Sequence, residues 1–212
     1  MIGKHCENRG AVVIAETIDV QDAKALATWI SECDDRYPLD LIIANAGISA
    51  GTAGPDGETD DQVRQIFDIN LTGVLNTLHP AIPKMQTRAH GQIAIVSSVA
   101  AFRGMPSAPA YSASKAAVKS YGEGLRGALR GDGINVNVIC PGFVKSRMTD
   151  VNTFPMPFLM DAERAAGIII KGLAKNRGRI VFPWPMHLMV WLLSVMPSSW
   201  ADMLTGRLPK KT

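Results

Sequence analysis

Short apolar runs recur along this chain between stretches of helical spacing, and that alternation constrains its fold more than any other feature. AVVIAETIDV (11–20), LDLIIANAG (39–47), GQIAIVSS (91–98), GDGINVNVICPG (131–142) and GRIVFP (178–183) read as strands. Each is rich in Val, Ile or Leu and bounded by Gly, Asp or Pro, which suits the buried, pleated backbone of a sheet. Between them, residues 21–36, 60–85, 109–130 and 162–176 place apolar side chains at helical spacing, with Pro80 and Pro83 disturbing the last turns of the second. Strands alternating with helices imply a parallel, doubly wound α/β sheet. In such sheets ligands bind outside the carboxyl ends of the strands. Asp19, Asn45-Ala46-Gly47, Ser97-Ser98 and Pro141-Gly142 stand at those ends, so four strands aim polar residues and glycines at one edge. With 212 residues, 47% of them hydrophobic, the chain can bury one substantial core as a single domain.

Composition excludes several other uses. The 22 Lys and Arg are scattered and the net charge is +3, which does not suggest nucleic-acid binding. His5, His79, His90 and His187 show no ligand spacing, so no metal site is expected. Cys6, Cys33 and Cys140 are far apart, odd in number and without a C-x-x-C, which fits a reducing compartment. MIGKHCENRG has no apolar core of the kind a signal peptide needs, so a cytoplasmic protein is expected.

YSASK (111–115) carries the most specific chemistry. Tyr111 and Lys115 lie four apart and share a helix face. A free phenol titrates near ~10, and a nearby cation is what draws it toward neutrality. A phenol so placed can give a proton to a carbonyl oxygen or take one from an alcohol. An isolated Y-x-x-x-K recurs by chance. Here, however, Ser98 ends the preceding strand, and VAAFRGMPSAPA, rich in small residues, can fold it back against the first turn of the Tyr111 helix.

Taken together, Asp19-Val20, the NAG at 45–47, Asn70 within FDINLTG, IVSSVA with Ser98, YSASK, and PGFVKSRM with Pro141 and Gly142 resemble the short-chain dehydrogenases/reductases. The resemblance covers roughly residues 10 to 185 and implies a Rossmann-like fold and hydride exchange between NAD or NADP and a carbonyl/alcohol pair. It implies Tyr111 as general acid in reduction and base in oxidation. Lys115 would lower the tyrosine pKa and bond the nicotinamide ribose, and Ser98 would hold the substrate oxygen. Asn70 would use its backbone to hold a water on a proton relay to Lys115, with a local helix kink as the alternative. Asp19 and Val20 would contact adenine, and Asn45 would brace the central strands. Ala46 and Gly47 would let the cofactor approach the backbone. Pro141 and Gly142 would shape the loop under the nicotinamide, Val144 would meet its carboxamide, and Ser146 stands where the family has Thr.

The sequence departs from the family in one respect: no T-G-x-x-x-G-x-G turn is present to hold a pyrophosphate at a helix N-terminus. The start of the chain reads as the end of a second helix entering a third strand. It is therefore expected to be N-terminally truncated relative to the family, to bind cofactor badly as it stands, and to leave a gap beside the NAG strand. NAD or NADP preference is not readable. Residues 1–185 are assigned to the catalytic domain and 186–212 to an apolar helical extension. MHLMVWLLSVM, 11 residues between Pro185 and Pro197, is too short to span a bilayer. It is read as a helix packed on the core, over the site or in a subunit interface, with peripheral membrane contact, helped by Lys210 and Lys211, as the other use. That segment and the apolar stretch from Met148 to Met160 point to a hydrophobic carbonyl or secondary alcohol as substrate. By resemblance, helices 60–85 and 109–130 would pair subunits into a homodimer or homotetramer. The reading from another class is a non-catalytic binding or membrane-associated scaffold that keeps the fold.

Overall fold

The computed structural model describes residues 2–50, 52, 57–152 and 154–205. Four strands, β1 (Leu41–Ala44), β2 (Gly91–Val96), β3 (Ile134–Pro141) and β4 (Arg179–Phe182), form one parallel sheet in the order β1-β2-β3-β4. Ten helices are described: α1 (Ile2–Glu7), α2 (Ala23–Arg36), α3 (Asp60–Phe67), α4 (Gly73–Leu78), α5 (Ala81–Thr87), α6 (Pro109–Ala128), α7 (Arg147–Asp150), α8 (Ala162–Ala174), α9 (Trp184–Val195) and α10 (Ser198–Thr205). The ladder pairs Ala44 with Ile95, Val96 with Ile139 and Pro141 with Phe182. Asn45, Ser97 and Gly142 therefore leave the sheet at one edge, as the strand ends predict.

The two-residue period of the strands divides the core. On one face Ile42, Ile93, Ile95, Ile134 and Val136 pack with Leu26 and Ile30 of α2, Val74 and Leu78 of α4, Met85 of α5 and Val118 of α6. On the other, Ala94, Ile139, Ile180 and Phe182 pack with Ala165 and Leu173 of α8. Each fully buried Ile or Leu contributes about 1.5–3 kcal/mol, so both layers bind firmly to β2 and β3. Asp34 ties α2 to this layer by taking both guanidinium nitrogens of Arg88 at 2.9 Å. Burial alone would raise the Asp34 carboxyl, but the bonds from Arg88 and the Leu39 N–H hold it below its ordinary value.

Two expectations need correction. Residues 11–20 form no strand. A strand needs a ladder partner, none stands beside this segment among the described residues, and Val12 is 79% exposed. The long helix over 60–85 is three helices, interrupted by a wide π turn at Asp68–Thr72 and again at Pro80, whose ring cannot continue an α-helix. The carboxyl segment is helical, as α9 and α10 on either side of Pro197. β1 ends the sheet, and Leu41 and Ile43 on its far face are exposed.

Candidate active site

Helix α6 begins with Pro109, whose fixed φ suits a first turn. The Glu58 carboxylate accepts the Ala110 N–H at 2.9 Å, placing a negative charge at the positive end of the helix. One turn in, Tyr111 and Lys115 project together. Lys115 is 3% exposed. Its Nζ donates to the Val96 carbonyl at 2.9 Å, and Ser97 Oγ donates to the Lys115 carbonyl at 2.7 Å. The end of β2 thus grips the lysine at both its backbone and its ammonium. Burial pulls the Lys115 pKa down to about 8, only partly countered by the nearby Cys140.

Tyr111 is partly buried, with the Lys115 Nζ 5.9 Å from its ring centroid. Burial pushes the phenol above its ordinary value, a hydrogen bond with Ser98 opposes the rise, and Cys140 adds to it. Lys115 is not among the groups that set this shift, whose net direction is upward. The ammonium is turned to the Val96 carbonyl, and burial has weakened its own hold on charge.

Ser98 is buried at the end of β2, its Oγ accepting the Ala100 N–H at 3.1 Å. Asn70 sits in the π turn, fully buried. Its Oδ1 accepts the Ile48 N–H at 2.8 Å, while its Nδ2 donates to the Ile48 carbonyl at 2.9 Å and to Ser114 Oγ at 3.0 Å. Ser114 Oγ in turn donates to the Tyr111 carbonyl at 2.8 Å. Asn70 combines the helix distortion with a side-chain brace between the loop after β1 and the tyrosine's own turn. Gly47 completes the cluster: a Cβ there would stand 3.1 Å from both Lys115 Nζ and Asn70 Oδ1. The glycine makes room for the lysine.

The other expected residues are more open. Asp19 Oδ1 accepts the Gln21 N–H at 2.9 Å and is exposed. The Val20 carbonyl accepts Asn76 Nδ2 at 2.9 Å, fixing that end to α4. Asn45 and Ala46 are exposed, and no hydrogen bond from the Asn45 side chain braces neighbouring strands among the described residues. Pro141 ends β3, and the Gly142 N–H donates to the Phe182 carbonyl at 2.7 Å. A Cβ on Gly142 would come within 2.6 Å of Met186 Sδ, so the loop and α9 close on each other there. Val144 bridges to Met160. The Ser146 N–H donates to Thr149 Oγ1 at 2.8 Å, with Ser146 exposed at the start of α7.

Ser97 was read only as a strand-end hydroxyl, and Ser114, Cys140 and Glu58 escaped sequence reading as contributors. Ser114 was legible in principle, since position i+3 from Tyr111 faces back toward its carbonyl. Cys140 is buried beside the pair, its thiol pushed up to about 11 chiefly by burial, and no spacing announces it.

The nicotinamide end of a dinucleotide fits this arrangement. A buried amine and a phenol gather with a buried serine where β2 ends, and the missing Cβ of Gly47 leaves the space that the amine occupies. For the pyrophosphate end, the sequence contains no T-G-x-x-x-G-x-G turn of the kind that opens a helix toward phosphate. Residues 1–154 match the family described as short chain dehydrogenase. The chain is 40% identical over 205 residues to an uncharacterised oxidoreductase of Myxococcus xanthus, covering 95% of this chain and 81% of that protein. A short chain dehydrogenase from Burkholderia cenocepacia in complex with NADP has a TM-score of 0.78 at 23% identity, covering 92% of this chain and 80% of that one. A short chain dehydrogenase from Mycobacterium paratuberculosis bound to NAD has a TM-score of 0.73 at 24% identity, covering 84% and 74%.

Proposed function

This chain belongs to the NAD(P)-dependent short-chain dehydrogenases/reductases, and we propose that Tyr111, Ser98 and Lys115 handle the proton while hydride passes between the nicotinamide and a hydrophobic carbonyl or secondary alcohol. The observation that carries this reading is the buried Lys115 ammonium held by the Val96 carbonyl 5.9 Å from the Tyr111 ring, with Ser98 near enough to act on the phenol's titration. The cofactor, when bound, supplies or accepts the hydride. Tyr111 gives its hydroxyl proton to the substrate oxygen in reduction and takes it back in oxidation. Ser98 donates to the same oxygen and stabilises charge developing there. Lys115 keeps a positive charge near the phenolate that Tyr111 becomes, and would hold the nicotinamide ribose. Asn70 holds the loop after β1 and the first turn of α6 in register, in addition to its backbone role toward a relay water. Asp19, Val20, Asn45, Ala46 and Gly47 line the nucleotide path, with Pro141, Gly142, Val144 and Ser146 on the nicotinamide side.

Val99, next to Ser98, and Phe143, next to Gly142, belong to an apolar cluster with Phe102, Met105, Met186 and Val190. That wall supports a hydrophobic substrate. Residues 1–185 act as the catalytic domain and 186–212 as its extension, in a cytoplasmic homodimer or homotetramer. Light scattering of the purified chain checks the oligomer.

The decisive experiment is a pair of measurements. A fluorescence titration of the 212-residue chain with NADH and NADPH is run beside turnover of lipophilic ketones and small polar aldehydes. Tyr111→Phe is expected to lower turnover by roughly 10² to 10⁴ while leaving the nucleotide titration unchanged. Retained turnover in that variant overturns the mechanism, and turnover of polar aldehydes alone overturns the substrate class. The non-catalytic scaffold reading is not favoured, because the tyrosine, serine and lysine are brought together.

A further inference from the structure

Helix α9, WPMHLMVWLLSV, contains no charged residue, and only part of its circumference meets the protein. Met186 and Val190 are buried, against Val99, Phe102, Met105 and Phe143. Trp184, Leu188, Trp191, Leu192 and Val195 fall at i, i+4, i+7, i+8 and i+11, one continuous stripe, and all are exposed, Trp184 by 74% and Val195 by 62%. Helix α10 repeats the pattern: Ala201 and Thr205 are buried while Trp200, Met203 and Leu204 are exposed. A helix apolar on every side belongs inside something, and a patch of this size on a soluble surface marks a contact.

We propose that the outer face of α9 and α10 docks on a bilayer carrying anionic lipids. Three features select this occupant. Trp184, Trp191 and Trp200 are all on the outer side, and tryptophan favours the boundary between headgroups and acyl chains. From Trp184 to Thr212 the only acid is Asp202, whose carboxylate is taken by Arg103 at 2.9 Å, while Arg207, Lys210 and Lys211 are basic. Arg207, Lys210 and Lys211 lie outside the described residues and enter here only as sequence charge, which complements an anionic surface. The stripe itself is wholly apolar, from Trp184 through Leu188, Trp191 and Leu192 to Val195, which suits acyl chains. At 12 residues α9 is about 18 Å long against a hydrocarbon core of roughly 30 Å. No helix among the described residues is long and apolar enough to cross a membrane, so the pair lies in the interface.

The buried side of α9 rests on the loops that leave β2 after Ser98 and β3 after Pro141. Docking would bring the mouth of the site to headgroup level, where a lipophilic ketone or alcohol is already concentrated. That consequence rests on the substrate class proposed above; the docking surface does not.

The test is co-sedimentation of the full chain with vesicles of phosphatidylcholine alone or with about one-third phosphatidylglycerol, read with tryptophan emission. The expected result is binding favoured by the anionic vesicles, with a blue shift. The triple variant Trp184→Ser/Leu188→Ser/Trp191→Ser should lose roughly ten-fold or more in partitioning, with unchanged circular dichroism. Trp200→Ser, a milder change, should weaken binding without touching α9. If neither vesicle binds the chain, the proposal is wrong. It is equally wrong if the triple variant converts an oligomer to a monomer while vesicle binding is unaltered, since the face then joins copies of the chain. The nucleotide titration is independent of all these readouts, so failure of docking and failure of the catalytic reading are told apart.

Discussion

Lys115 is buried with its ammonium held by the Val96 carbonyl, whereas Asn45 and Ala46, at the end of the neighbouring strand, stand open to solvent. The same contrast runs through the sheet: β2 and β3 are covered on both faces, while β1 is an edge strand with Leu41 and Ile43 exposed. The proton-handling side is thus assembled by the protein alone, through bonds linking Ser97, Ser114, Asn70 and Ile48 to one helix turn. Groups fixed in this way need little reorganisation when a substrate arrives. The nucleotide-facing side is made of strand ends and loops, whose side chains remain available for contacts. Mutations should therefore act through packing on the first side and through ligand affinity on the second.

The largest effect is expected from Lys115→Met. It removes the charge beside Tyr111 and leaves the Val96 carbonyl without its donor, and turnover should fall by roughly 10² to 10⁴. Steady-state kinetics checks this, and near-normal turnover would mean the lysine merely fills space. Asn70→Ala comes next. It strips both Ile48 backbone groups and Ser114 of their partner, at a cost of about 2–3 kcal/mol. A urea titration should show the loss as a lower midpoint with an unchanged slope.

These two residues also show how far the sequence was legible. Tyr111 and Lys115 could be paired because i and i+4 share a helix face whatever surrounds them, and Ser98 because a strand end followed by a short loop has few places to go. The alternation of strands and helices gave the parallel sheet for the same local reason. What it could not give is tertiary. Residues 11–20 have the composition of a strand, but strand formation depends on a neighbour, and the pattern of one segment does not report whether its neighbour is there. Asn70 was tied to the site without its side-chain role, because Ile48 lies 22 residues away in sequence. The direction of the Tyr111 shift depended on where the Lys115 ammonium turns, and spacing alone does not fix a rotamer.

Gly47→Ala tests how tightly the locked side is packed. Its Cβ would press on Lys115 Nζ and Asn70 Oδ1 from 3.1 Å, and neither is free to withdraw without breaking a bond. A loss of about 1–3 kcal/mol is expected, with turnover reduced and the Michaelis constant little changed. A smaller effect should appear with pH. The Lys115 pKa of about 8 lies below its unfolded value of 10.5, so the unfolded chain holds the proton when the folded chain releases it. Stability from this group therefore rises as pH increases through 8, by about 1 kcal/mol between pH 7 and 9. Above pH 9 the buried Cys140, raised to about 11 from 9.0, acts in the opposite sense. Urea midpoints at pH 7 and 9 should show the gain in the parent and lose it in Lys115→Met.

The smallest effect on stability is expected where the comparison is sharpest, at Asn45→Ala. This side chain is exposed and takes part in no hydrogen bond among the described residues, so its removal should alter stability by no more than about 0.5 kcal/mol. If Asn45 lines the nucleotide path, the same change should weaken NADH or NADPH binding in the fluorescence titration while leaving the urea midpoint alone. Asn70→Ala should do the reverse in proportion, losing stability more than affinity. Should Asn45→Ala instead destabilise the chain by more than about 1 kcal/mol, then β1 is braced as firmly as β2, and the division between a locked side and an open side would not hold.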